Sequence, residues 1–125
     1  LKYYQKLYVE DVSFNSIRQT DGHWDITHNL ENIVYNELLY RGFNLFVFRE
    51  GRQEVDFLAE KNNRQYLIQV AYSIAEESTY RREFALFNKL DQTREKIIIT
   101  NDDFDFSTST VRHINLKEFL INESF

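Results

Sequence analysis

Residues 54–73 constrain the fold of this chain most strongly, because they predict a two-stranded hairpin. Apolar and polar side chains alternate on both sides of Asn62 and Asn63, as expected for strands that bury one face. Asparagine tolerates positive φ, so these two residues can form a two-residue turn. Such a turn sets Asp56 directly opposite Gln69. A carboxylate and a carboxamide would then share one face of the hairpin.

The size and charge of the chain narrow the possible classes of protein. Its 125 residues suffice for a single domain with one core, and the absence of Cys excludes disulfides and thiolate metal sites. No apolar run is long enough to span a bilayer, so we expect a cytoplasmic protein with no membrane partner. The net charge of −5 argues against a domain that binds nucleic acid by neutralising its phosphates over the whole surface, although a local basic strip stays possible.

The first 42 residues contain one clear helix. Residues 2–10 are predicted as an edge strand and residues 11–26 as irregular, so that residues 1–26 form a peripheral segment. Residues 29–41 have helical periodicity and are followed by Gly42, a stop signal. Glu31 and Glu37 fall in or beside the apolar arc, where a charge is costly unless paired. Arg81 and Arg41 are the candidate partners for Glu37 and for Glu83 of the second helix. The apolar arc consists of Leu30, Ile33, Val34 and Leu38.

The remaining residues predict alternating strands and helices. Residues 43–49 and 95–101 are apolar on both faces, as in strands covered on both sides. Residues 76–91 predict a second helix, so the strand after it should lie parallel to the second hairpin strand. Asn115 caps a short last helix, with Glu118 in the third position. The predicted fold is α/β, with a mixed four-stranded central sheet flanked by helices on both faces.

This layout resembles that of the PD-(D/E)XK, restriction-endonuclease-like superfamily. A helix that carries Glu31 precedes a strand meander, and Asp56 stands where the superfamily has its motif aspartate. Gln69 and Ala71 stand where the pattern has Glu-x-Lys. The resemblance implies a divalent-cation site for Mg²⁺ or Mn²⁺, with Glu31, Asp56 and Gln69 as the candidate catalytic residues and metal ligands.

A closer resemblance is to an uncharacterised domain at the C-terminus of many prokaryotic AAA-type ATPases. It covers residues 23–122 and rests on the motifs Leu-Glu-Asn-Ile-Val-Tyr-Asn-Glu, Glu-Val-Asp-Phe, Ile-Gln-Val-Ala-Tyr-Ser and Arg-Arg-Glu-Phe. Since the chain opens with Leu1 and contains no Met, we expect a piece excised from a longer polypeptide. The resemblance implies an N-terminal ATPase domain as partner, and ATP would bind only there.

The departures from the nuclease pattern weaken the catalytic interpretation. Gln69 offers a neutral oxygen instead of a carboxylate, and Ala71 offers no ammonium group to stabilise developing charge. Lys61 or Arg52 would have to reach the site from a turn that lies far along the strands. The alternative roles are structural: Asp56 on a solvated strand face, Glu31 favourable near a helix N-terminus, and the Gln69 NH₂ donating to Asp56.

Three functions follow from these observations. The first is a degenerate nuclease-like domain that serves as a DNA- or protein-interaction module for the ATPase. The second is an active Mg²⁺- or Mn²⁺-dependent DNA endonuclease or exonuclease. The third is a dimerisation domain that forms homo-oligomers. Arg81 and Arg82 could bind a phosphate backbone, although adjacent arginines are usually a solvated helix face. The three His residues lack the spacing of a zinc site.

Overall fold

The computed structural model describes residues 2–4, 22–51, 53–75, 82, 84–85, 87, 89–90, 93–122 and 125. They form a mixed α/β structure in which a single sheet is packed against helices. Within these residues, no helix combines the length and the apolar character needed to cross a membrane. The elements in chain order are β1 (Lys2–Tyr4), α1 (Gly22–Tyr40), β2 (Asn44–Glu50), β3 (Gln53–Lys61), β4 (Arg64–Val70), β5 (Glu95–Thr100), β6 (Arg112–Asn115) and α2 (Leu116–Ile121).

The sheet is larger than predicted. It has six strands in the order β1-β2-β3-β4-β5-β6, so the predicted count of four is wrong. Strands β1 to β4 pair antiparallel, whereas β4, β5 and β6 pair parallel. The predicted edge strand is present over Lys2–Tyr4, and the rest of that prediction lies outside the described residues. Strand β6 was missed because its four residues, Arg-His-Ile-Asn, carry too little apolar pattern.

Helix α1 begins earlier than its apolar periodicity indicated. It starts at Gly22, seven residues before the predicted start, so residues 22–26 are helical and the prediction that they are irregular is wrong. Its end is as predicted: Gly42 has a φ of +90°, and its N–H donates to the Leu39 carbonyl. The Phe43 N–H donates to the Leu38 carbonyl, which completes a Schellman motif. Ile33, which was assigned to the buried arc, is 40% exposed.

The predicted hairpin is confirmed. Asn62 and Asn63 both have positive φ, of 54° and 66°, as a type I′ turn requires. The pairs run from Lys61 opposite Arg64 to Phe57 opposite Ile68, in the predicted register. The predicted parallel pairing of β4 with β5 is also confirmed.

Two buried clusters stabilise the sheet. Strand β4 contributes to both, since Ile68 belongs to the first cluster and Leu67 to the second. The first cluster includes the apolar residues of α1 together with Phe119 of α2. The second includes three buried residues of the predicted second helix, residues 76–91. Within that range residues 82, 84, 85, 87 and 89 are helical, residue 90 is a bend, and the others lie outside the described residues. These three buried residues are Phe84, Phe87 and Leu90.

Arg41 links the end of α1 to the end of α2, and Asn115 caps the start of α2. The Arg41 Nε donates to Glu37 at 2.8 Å, which confirms the predicted pair. The Arg41 Nη2 donates to the carbonyls of Phe119 and Asn122 at the end of α2. At the start of α2, the Asn115 side chain accepts from the backbone N–H groups of Lys117 and Glu118, as predicted for a cap.

Candidate functional site

Asp56 lies in an irregular part of β3. Between the paired regions of β2 and β3, the two residues Asp56 and Phe57 lie opposite the single residue Val47. This is the arrangement of a β-bulge, which bends a strand and changes the direction of its side chains. The regular pairing of β3 with β4 ends at Phe57 and Ile68. Asp56 and Gln69 therefore stand at the point where the backbone ladder stops.

Side chains replace the backbone hydrogen bonds at this point. The Asp56 N–H donates to the Gln69 Oε1 at 3.2 Å, and the Val70 N–H donates to the Asp56 Oδ2 at 2.9 Å. Both side chains are half-buried. The structure thus brings Asp56 and Gln69 together, as the hairpin register predicted. The atoms differ from our expectation, because the Gln69 carboxamide accepts from the backbone of Asp56 instead of donating to its carboxylate.

Glu31 lies on the helix that covers β4. Leu30 and Val34, on either side of Glu31 in α1, share the first buried cluster with Ile68 and Val70 of β4. Glu31 itself is half-buried, and burial raises its pKa from 4.5 to about 7, because the ionised carboxylate loses hydration. A substantial fraction of Glu31 is therefore neutral near pH 7. Glu31 is not part of the hydrogen-bonded Asp56–Gln69 pair.

No described residue brings a cation to the Asp56–Gln69 pair from the positions that the sequence offered. Ala71 is half-buried against the second cluster, and its N–H donates to the Ile99 carbonyl at 3.1 Å. Lys61 donates to the Arg41 carbonyl and lies 5.5 Å from the centre of the Phe43 ring. Arg52 and Arg81 lie outside the described residues. Arg82 is exposed on a helical segment.

The donor set does not fit a Mg²⁺ or Mn²⁺ ion. Such ions bind several anionic oxygens in a nearly octahedral arrangement. Here one Asp56 oxygen and the Gln69 oxygen accept backbone N–H groups. Burial raises the pKa of the third candidate, Glu31, to about 7, so a substantial fraction of it carries no charge near pH 7. Among the residues that the structure describes, no three His, Cys, Asp or Glu side chains are grouped closely enough to hold a metal ion.

A second polar cluster, which the sequence did not reveal, lies beyond the carboxyl ends of β4 and β5. The Asp102 carboxylate accepts hydrogen bonds from the Ser73 hydroxyl, the Ile74 N–H and the Thr100 hydroxyl, at 2.7, 2.7 and 3.2 Å. The Thr100 Oγ1 also lies 2.6 Å from the His113 Nε2. The only sequence signal was a set of polar residues directly after apolar strands, which is common at strand ends.

His113 is held in its neutral form inside this cluster. The Phe106 N–H donates to its Nδ1 at 3.1 Å, so the proton of the neutral ring is assigned to Nε2, which donates to Thr100. Burial lowers the pKa of His113, and the nearby carboxylates of Asp102 and Asp105 only partly oppose this effect. The hydrogen bonds of Asp102 and His113 therefore hold the loops after β4 and β5 together.

Comparisons with known proteins identify the family but not an activity. An uncharacterized protein of Haemophilus influenzae is 36% identical over 78 residues, which are 62% of this chain and 19% of that protein. The chain thus corresponds to less than one-fifth of the length of this relative. No solved structure matches the chain. A family model matches residues 27–119, and the chain belongs to that family, the Domain of unknown function (DUF4143).

Proposed function

We propose that the chain has a restriction-endonuclease-like fold, with helices over both faces of the sheet. The support is the division of the buried side chains. The residues of α1 and α2 share one cluster with the sheet, and the helical residues Phe84 and Phe87 share the other. The order of helix, meander and parallel strand agrees with this fold.

Our main proposal is that the domain is a non-catalytic interaction module of a cytoplasmic AAA-type ATPase. The observation that carries it is the use of the Asp56 and Gln69 oxygens as acceptors for backbone N–H groups at 2.9 and 3.2 Å. In this arrangement the two side chains stabilise the divergence of β3 and β4. Residue 71 is Ala, where the nuclease pattern has a lysine, so the positive charge that would assist an attacking water is missing. The scaffold is thus retained while the chemistry is lost.

A direct test is to restore the nuclease motif. The variant Gln69→Glu with Ala71→Lys supplies the missing carboxylate and ammonium group on an otherwise unchanged hairpin. We expect calorimetry to detect no Mn²⁺ binding by the wild-type chain and clear binding by the restored variant. Adding Asp56→Asn to the restored variant should strongly weaken that binding, because only the carboxylate introduced at position 69 is then left in the pair.

Cleavage assays complete this test. The wild-type chain is incubated with supercoiled, linear and branched DNA under Mg²⁺ and under Mn²⁺, beside the isosteric Asp56→Asn variant. We expect all substrates to stay intact with both proteins. Cleavage by the wild-type chain that disappears in Asp56→Asn would refute the non-catalytic proposal.

The second candidate function is an active metal-dependent DNA nuclease. It is favoured by Glu31, since carboxyl groups with a strongly raised pKa are often found at catalytic sites. A divalent cation would draw the proton from Glu31, so the two functions differ in a measurable way. If Mn²⁺ lowers the pKa of Glu31 in an NMR titration of the wild-type chain, the nuclease is the better assignment.

A further inference from the structure

A groove runs along the end of the sheet where the β3–β4 hairpin turns. It consists of two adjoining cavities of about 380 and 190 Å³. Both are lined by Arg64, Tyr66 and Phe125, so they lie side by side. We call this groove the tip groove. It lies at the opposite end of β3 and β4 from Asp56 and Gln69.

Three exposed cations line the tip groove. Lys61 on β3 is paired with Arg64 on β4, and Arg112 begins β6, two strands further on. Neighbouring strands are about 4.8 Å apart, so this row extends over about 14 Å across the sheet, before its offset along the strands is added. A row of this kind fits an extended polyanion better than a compact anion.

The charges of these cations are only weakly neutralised by the protein. The Arg64 guanidinium lies 3.3 Å from the Glu95 carboxylate, and both side chains are more than half exposed, so water and salt screen the pair. The Lys61 ammonium has three donors, one of which goes to the Arg41 carbonyl. Arg112 is exposed at the start of β6. A phosphate could therefore replace water at each of them.

The lining of the tip groove favours nucleic acid over an acidic peptide. Phe43 and Phe125 pack against each other and against Tyr66, and because both are only partly buried, their exposed parts can contact bases. The hydroxyl groups of residues 108–110 can donate to phosphate oxygens. The chain as a whole has a net charge of −5, so it repels polyanions except where cations are concentrated. Three exposed cations of the lining, Lys61, Arg64 and Arg112, stand against one acidic residue, Glu95. The charged groups of Arg41 and Lys96 also belong to lining residues but are bound to backbone carbonyls.

We propose that the tip groove binds single-stranded nucleic acid, with phosphates on Lys61, Arg64 and Arg112 and bases against Phe43 and Phe125. The inference depends on the proposed non-catalytic function in one respect, which is that the bound strand is not cleaved. It adds a binding surface that is separate from the Asp56–Gln69 pair.

Fluorescence anisotropy of a labelled single-stranded 12-mer with the full chain tests the proposal. Three phosphate contacts predict a slope of about −2 for the logarithm of affinity against the logarithm of salt concentration. The variant Arg64→Gln with Arg112→Gln should reduce the slope to about −0.7 and weaken binding at low salt by roughly tenfold. The matched control, Lys89→Gln with Lys117→Gln, makes the same charge change at exposed residues that do not line the groove.

Several results would overturn the proposal. The first is an equal loss of affinity in the control variant, and the second is the absence of binding at low salt. The third is displacement of the strand by oligoglutamate of equal charge or by AMP at equal concentration. Circular dichroism spectra identify variants that have failed to fold, and for such a variant Arg112→Gln alone replaces the pair and should reduce the slope by about 0.7. Cutting of the strand under Mn²⁺ would refute the proposed function but leave the groove assignment intact.

Discussion

The two ends of the β3–β4 hairpin contain opposite kinds of polar residue. At the bulge end, Asp56 and Gln69 each accept a hydrogen bond from the backbone of the other's strand. At the turn end, Lys61 and Arg64 are exposed, and the ion pair of Arg64 with Glu95 is open to solvent. The end that resembles a nuclease motif thus stabilises the fold, whereas the end without a motif presents charge to solvent. The partners of a side chain, more than its type, decide whether it is available for function.

The largest effect should follow from removing the Asp56 carboxylate. In Asp56→Ala the Val70 N–H loses a charged acceptor at the bulge, so we expect a loss of about 2–3 kcal/mol in the free energy of unfolding. Urea denaturation measures it. Asp56→Asn is the control, since its Oδ1 can still accept from Val70 and most of the stability should be kept. If Asp56→Ala is as stable as the wild-type chain, the bulge end is not a structural feature.

Replacing Glu31 should stabilise the fold near neutral pH. Its pKa is raised from 4.5 to about 7, so the folded state binds more protons than the unfolded state within that window. The free energy of unfolding is therefore unaffected by Glu31 below pH 4.5 and falls as the pH rises from 4.5 towards 7. The full shift corresponds to about 3.4 kcal/mol, and partial exposure reduces the expected gain for Glu31→Gln at pH 7.5 to about 1–2 kcal/mol.

The control for Glu31→Gln is a comparison of the two proteins at pH 4. Their urea midpoints should converge there, because Glu31 is then neutral in both the folded and the unfolded state. A constant difference between pH 4 and pH 7.5 would show that the gain comes from packing and not from the buried charge.

His113 should have the opposite pH dependence. Its pKa is lowered from 6.5 by burial, so the folded state binds fewer protons and stability falls as the pH decreases below 6.5. In His113→Leu we expect this dependence of stability on acid to disappear. We also expect the free energy of unfolding at pH 7.5 to fall by about 1 kcal/mol, because the Phe106 N–H loses its hydrogen bond. Thermal unfolding at pH 5.5 and 7.5 checks both. An unchanged pH dependence in His113→Leu would assign the acid sensitivity to another group.

The smallest effect on stability is expected at the turn end. Arg64→Ala removes an exposed ion pair with Glu95, which contributes less than about 0.5 kcal/mol. The urea midpoint should therefore hardly change. A loss comparable to that of Asp56→Ala would contradict the difference between the two ends, because Arg64 would then be structural as well.

The parts of the fold that the sequence predicted correctly depend on local chemistry. Asn62 and Asn63 tolerate positive φ, Gly42 ends α1 in a left-handed conformation, and Asn115 caps α2. In each case the physical cause is in the residue itself or in its immediate neighbours. The hairpin register followed because the turn fixes which residues face each other.

The parts that it missed depend on contacts between distant segments. Strand β6 is stabilised by its pairing with β5 and not by its own four residues. The bulge at Asp56 arises because β2 and β3 run out of register, which neither strand shows alone. The tip groove brings Arg64 and Arg112 together from β4 and β6, residues far apart in the chain.

For the candidate site, the sequence by itself determined which groups are present: a carboxylate at Asp56, a carboxamide at Gln69 and no lysine at residue 71. It also determined that Asp56 and Gln69 face each other. Only the tertiary structure decided what these groups do, because the divergence of the strands brings the backbone N–H groups of Asp56 and Val70 to these two side chains. The same holds for Glu31, whose raised pKa comes from the packing of α1 on the sheet and from no property of its neighbours in sequence.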